Sequence, residues 1–123
     1  MDSQIAAATK PKRQKYNAKR TQLGDQIFDS AKEARTFVML TMAAKAHDLS
    51  ERVVHIERSH RYLLIPAQGG ERACHYVADF VVTYADARVQ VIDTKSEITR
   101  KNALYIVKRK LMLDRHGLAI KEM

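Results

Sequence analysis

His75-Tyr76-Val77-Ala78-Asp79-Phe80-Val81-Val82-Thr83-Tyr84 and Arg88-Val89-Gln90-Val91-Ile92-Asp93-Thr94-Lys95, separated by Ala85-Asp86-Ala87, decide the fold. Both stretches are rich in Val, Ile, Phe, Tyr and Thr, residue types that fit a pleated, half-buried surface. The short connection predicts a β-hairpin. Residues two apart on a strand share a face. Val77, Asp79 and Val81 therefore line one side of the first strand, and Val89, Val91, Asp93 and Lys95 one side of the second. Each stripe sets a carboxylate among apolar neighbours, where an uncompensated charge is costly.

Register brings the two acids together. If Tyr84 pairs with Arg88 across the loop, stepwise pairing places Asp79 opposite Asp93. Directly opposed Cβ atoms lie roughly 4.5–5.5 Å apart on one face. Two carboxylates that close repel unless a proton or a cation sits between them. A hard divalent cation suits them, since Mg²⁺ takes carboxylate, water and phosphate oxygens. Lys95 follows on the same face, roughly 6.5 Å along the strand, where a cation can hold a water or stabilise a phosphate. An ordinary strand-end ion pair also explains Asp93 and Lys95, but it leaves Asp79 without a role.

Outward from the hairpin, a first helix is predicted from Asp29 or Ser30 to about Ala46, with Ala34, Phe37, Val38, Met42 and Ala46 at helical spacing. Ser30-Ala31-Lys32-Glu33 fits a capping box. Glu33 is therefore either a cap residue or, if this helix end meets the sheet, a third acid for a metal. Two short strands are predicted near Val53–Glu57 and Arg61–Ile65, then a loop at Pro66 and Gly69-Gly70. A second helix is predicted from Thr99 to Arg115, closed by Gly117, and Leu118–Glu122 reads as a last short strand.

That second helix carries the partner argument. Leu104, Val107 and Leu111 are its expected core stripe, and Arg100 and Lys101 in its first turn would oppose the helix dipole. Lys101, Tyr105, Lys108 and Arg109 fall on one side. A phosphate backbone would relieve such a charge conflict; a solvated basic face is the plain alternative. Residues 1–20 hold Lys10, Lys12, Arg13, Lys15, Lys19 and Arg20 against Asp2 alone, with few large aliphatics, and read as a disordered basic arm ahead of one domain over 21–123. Lys19 and Arg20 are its residues nearest the domain. The formal net charge of +8 on 123 residues favours a polyanionic partner, nucleic acid first and acidic membrane surfaces second.

Several classes are excluded. No apolar run is long enough for a transmembrane helix, no secretory leader is visible, and a cytoplasmic location is expected. Cys74 alone rules out an internal disulfide and a Cys-rich zinc site. The five histidines, His47, His55, His60, His75 and His116, show no metal-ligand spacing, and the four glycines make no phosphate loop.

Glu33, Asp79 and Asp93-Thr94-Lys95, on a helix and two strands in that order, resemble the pattern of the PD-(D/E)XK nuclease superfamily. Over residues 16–122 the chain is similar to a family of small phage and prophage proteins. The shared phrases are Phe28-Asp29-Ser30, Lys32-Glu33-Ala34, Tyr76-Val77-Ala78-Asp79-Phe80, Asp93-Thr94-Lys95 and Lys108-Arg109-Lys110-Leu111. The resemblance implies an α/β (α+β) restriction-endonuclease-like core of order αβββαβ, with a central mixed sheet flanked by helices. It implies Mg²⁺-dependent phosphodiester hydrolysis, with Mn²⁺ substituting. Asp79 and Asp93 would bind metal, Glu33 would complete or support the site, and Lys95 would orient the water. Kinship with phage endonuclease I, a resolvase of four-way DNA junctions, implies branched DNA as substrate, a homodimer, and a role in phage recombination or repair inside a bacterial host. Ala78 departs from the proline of the motif's name, and Ser59 stands where the closer family favours glutamine. A basic DNA-binding accessory protein that has kept the fold without catalysis is the alternative, as is a nuclease of another role.

Overall fold

A computed structural model of the chain describes residues 20–123. Of the expected arm over 1–20, only Arg20 falls within this range, and it is exposed; Lys19 and the rest lie outside the described residues. Two compact units divide the chain, one up to Arg35 and the other Thr36–Met123.

In the first unit, β1 (Thr21–Leu23) and β2 (Gln26–Phe28) form an antiparallel hairpin with Leu23 paired to Gln26. The two-residue turn is Gly24-Asp25, and Gly24 takes φ 62, a left-handed conformation that glycine adopts without a Cβ penalty. The sequence reading assigned no strands here. Helix α1 (Ala31–Met42) follows. The Ser30 hydroxyl accepts the Glu33 N–H at 3.1 Å, which is the expected cap. The division between the units falls within α1, and a 3₁₀ turn over Ala43–Lys45 continues it, close to the predicted end at Ala46.

The second unit is built on a four-stranded mixed sheet. Its strands are β3 (Val53–Ile65), β4 (Cys74–Tyr84), β5 (Val89–Asp93) and β6 (Ile120–Glu122), in the spatial order β3-β4-β5-β6. The first two pairings are antiparallel and the last is parallel. A short helix α2 (Glu97–Arg100) and a longer helix α3 (Ala103–His116) connect β5 to β6. From α1 onward the order is thus helix, three strands, helices, strand. Buried Leu64, Tyr76, Ala78, Val91, Tyr105 and Met112 make the core cluster of this unit.

The hairpin register is the predicted one. Tyr84 N–H donates to Arg88 O at 2.9 Å, and the ladder runs from Thr83 opposite Val89 to Phe80 opposite Ile92. Three expectations are corrected. The two strands read at Val53–Glu57 and Arg61–Ile65 are one continuous strand. Ser59 takes φ 55, yet pairing passes through it unshifted, with Arg58 opposite Phe80 and His60 opposite Ala78. Continuous pairing to β4 outweighs the poor strand propensity of Arg58-Ser59-His60.

The second correction concerns the helix over Thr99–Arg115, which is broken. Asn102 is extended (φ −67, ψ 130), and its side chain accepts the N–H groups of Leu104 and Tyr105 at 2.9 and 3.2 Å, starting α3 anew. Ser96 caps α2 in the same way. Arg100 therefore sits in the last turn of α2 and Lys101 just beyond it, where cations suit the dipole. The charge conflict inferred for a first turn does not exist.

The third correction is the phase of α3. Leu104 and Val107 are exposed, at 62% and 51%, whereas Tyr105 and Met112 are buried. Tyr105 can take the core position because its hydroxyl reaches a carboxylate, that of Glu122. Gly117 ends α3 as expected, at φ 67 with its N–H on Leu113 O.

Candidate metal and phosphate site

The site lies on the two central strands of the sheet. The β4–β5 ladder ends at Phe80 opposite Ile92, and just beyond it Asp79 lies close enough to Asp93 for its charge to act on that carboxyl. Both hydrogen bonds of the Asp79 carboxylate fall on Oδ2, which accepts the Thr94 N–H at 2.8 Å and the Thr94 hydroxyl at 2.7 Å. Asp93 is fully buried. The Tyr76 hydroxyl donates to its Oδ2, while its Oδ1 accepts no hydrogen bond. Lys95 Nζ stands 3.6 Å from that Oδ1.

Electrostatics follow from this packing. Burial, and then the charge on Asp79, push the Asp93 carboxyl up to about 7, against the opposing pull of Tyr76 and Lys95. Burial and the Asp93 charge push the Tyr76 phenol well above its usual range, so it stays a proton donor. The two acids are therefore near neighbours, and the charge of Asp79 acts on the buried Asp93.

A third carboxylate lies one strand further. Parallel pairing sets Glu122 beside Asp93. Glu122 Oε2 accepts the Tyr105 hydroxyl at 2.6 Å and Arg109 Nη1 at 3.0 Å, and Arg100 Nε lies 3.8 Å from Oε1. The Tyr105 bond, then Arg109 and Arg100, hold this carboxyl below its usual range. Lys95 Nζ lies 5.7 Å from the Tyr105 ring centroid, within cation–π reach. Beside Lys95 opens a cleft of about 290 Å³, bordered by His75, Tyr76, Thr99, Asn102 and Lys108 among others. Two lysines and a histidine on its border suit an anion of phosphodiester size.

The expected site residues separate into groups. Asp79, Asp93 and Lys95 come together. Glu33 belongs to the first unit, where it is 6% exposed in the capped turn of α1. Lys108 borders the cleft, and Lys101 is exposed. Tyr105 is 6% exposed, with its hydroxyl on Glu122, and it also borders the cleft beside Lys95 and Lys108. Arg109 is committed to the same carboxylate, so its charge is compensated within the chain. Tyr76, Thr94 and Glu122 were missed as site residues. The middle position of Asp-Thr-Lys was a readable signal for Thr94, since a hydroxyl beside an acidic pair can bond it.

The donor set fits a hard cation. Two neighbouring carboxylates, one of them with a buried oxygen that accepts no hydrogen bond, match Mg²⁺ or Mn²⁺, which fill the remaining positions with water and phosphate oxygens. Among the described residues no group of three or more His, Cys, Asp or Glu side chains gathers to hold a metal. No helix among the described residues is long and apolar enough to cross a membrane.

Fold and site define a small mixed α/β protein with a carboxylate pair and a lysine on its central strands. The chain belongs to the family described as "Protein of unknown function (DUF1064)", whose family model matches residues 13–120. No curated protein matches it.

Proposed function

We propose that the chain is a Mg²⁺-dependent DNA endonuclease of the PD-(D/E)XK type, hydrolysing phosphodiester bonds with a preference for branched DNA. The observation that carries this reading is the convergence of Asp79 and Asp93 on adjacent strands with Lys95 at 3.6 Å from the second acid. The helix, three strands, helix, strand order from α1 and the net charge of +8 support it. Mn²⁺ substitutes for Mg²⁺, and the active form is a homodimer, since symmetric cutting of a four-way junction needs two sites related by a two-fold axis.

In this reading Asp79 and Asp93 hold the cation. A bound Mg²⁺ supplies positive charge that polarises the phosphoryl group and stabilises the developing oxyanion. Lys95 orients the attacking water and adds charge stabilisation. Lys108 and His75, on the border of the cleft, bind the flanking phosphate. The proposal rests on residues of the second unit alone.

A panel of duplex, single-stranded, flap and four-way substrates with Mg²⁺ or Mn²⁺ tests it. The parent protein cuts at least one of them, and Asp79→Ala abolishes cutting while DNA binding persists. Cutting that survives EDTA or Asp79→Ala removes the proposal. The full burial of Asp93 also fits a non-catalytic DNA-binding protein with the same fold. Tight binding of every substrate with no cutting by the parent protein selects that second reading.

A further inference from the structure

The carboxylate pair is not held by the sheet alone. Each acid has one oxygen tied by a neighbour that no general requirement of the fold dictates. Asp79 Oδ2 takes both donors of Thr94, its backbone N–H at 2.8 Å and its hydroxyl at 2.7 Å. Asp93 Oδ2 takes the hydroxyl of Tyr76, which is itself 3% exposed and packed in the core cluster. What remains on Asp93 is Oδ1, buried and without a hydrogen bond. An ion-binding carboxylate works well when its other oxygen is hydrogen-bonded, because that bond fixes the ring of donors and removes the entropy of aiming them.

We infer that Tyr76 and Thr94 are positioning residues, which clamp Asp93 and Asp79 by Oδ2 so that each acid offers its Oδ1 to one shared divalent cation. The inference rests on the metal reading above and deepens it. Thr94 thereby has a part of its own between Asp93 and Lys95. Its backbone N–H serves Asp79 whatever the side chain, while the hydroxyl adds a second donor that serine also supplies and valine does not. Tyr76 does for Asp93 what Thr94 does for Asp79, from the neighbouring strand.

Mn²⁺ binding to the full chain, measured by calorimetry without DNA, tests the inference apart from cleavage. Tyr76→Phe and Thr94→Val each weaken Mn²⁺ binding by about 10–100-fold, the range seen when a metal ligand loses its supporting hydrogen bond. Thr94→Ser restores the parent affinity, which a purely volumetric role of the threonine would not produce. Thermal melts of the metal-free variants confirm that each is folded. If Tyr76→Phe does not fold, the Thr94 pair decides. Parent-like Mn²⁺ affinity in Tyr76→Phe and Thr94→Val, or failure of Thr94→Ser to recover it, overturns the clamp and leaves the metal reading standing. A parent protein that binds no Mn²⁺ overturns both.

Discussion

Tyr105 donates its hydroxyl to Glu122 Oε2 at 2.6 Å, and this one bond places an aromatic ring on the core side of α3. Glu122→Ala strands that hydroxyl and frees Arg109 and Arg100 from their common partner. The expected loss is about 1–3 kcal/mol, the cost of leaving a largely buried polar group unsatisfied. Because the folded Glu122 carboxyl is held low, its contribution is present above the ordinary carboxylate range and lost as pH falls through it. Urea unfolding of parent and variant at pH 7 and pH 3 checks both statements: the difference between the two proteins narrows at the lower pH.

Asp93 has the opposite sign. Its carboxyl is raised from 3.8 to about 7 in the fold, so the folded state binds more protons than the unfolded state between those values. Stability from this group is complete below pH 3.8 and drains away as pH rises towards 7. Metal-free protein is therefore more stable at pH 5 than at pH 8. Millimolar Mg²⁺ stabilises it at pH 8, because a ligand that binds only the folded state shifts the equilibrium by mass action. Asp93→Asn flattens the slope over that window. A parent protein whose stability rises steadily from pH 5 to pH 8 without metal contradicts this account.

Lys95 separates chemistry from affinity. Lys95→Ala removes the cation beside Asp93 Oδ1 while leaving the Lys108 side of the cleft intact. Cleavage falls by about 10²–10³-fold, the range for losing one charge-stabilising group, with DNA affinity nearly unchanged. Single-turnover cleavage and a gel-shift titration read the two quantities separately.

The phase of α3 is testable by stability alone. Met112 is fully buried and Leu104 is 62% exposed. Met112→Ala costs about 2–5 kcal/mol, whereas Leu104→Ala stays within about 0.5 kcal/mol. Equal losses at the two positions would mean that the helix packs through the stripe first expected from its leucines.

Much of this was legible in the residues because strand period and register are stiff rules. Ala85-Asp86-Ala87 set the hairpin loop, and from it the β4–β5 register as far as Phe80 opposite Ile92 followed by counting. Gly117 likewise marked the end of α3. The rest failed where one polar side chain overrode an apolar pattern. Asn102 restarted a helix that its neighbours would have continued, and Glu122 turned Tyr105 inward against the pull of Leu104 and Val107. The gap left between Val53–Glu57 and Arg61–Ile65 is closed because β4 pairs on both sides of Ser59. The turn at Gly24-Asp25 had a recognisable signature, and it was overlooked beside the basic composition that precedes it.

Ser59 has one more effect. β3 is an outer strand of its sheet and runs for 13 residues, long enough to template the accretion of further chains. A left-handed residue near its middle breaks the regular extended backbone of that edge, an irregularity of the kind that makes an outer strand a poorer template. The conformational cost of that serine serves as insurance against fibrous self-assembly.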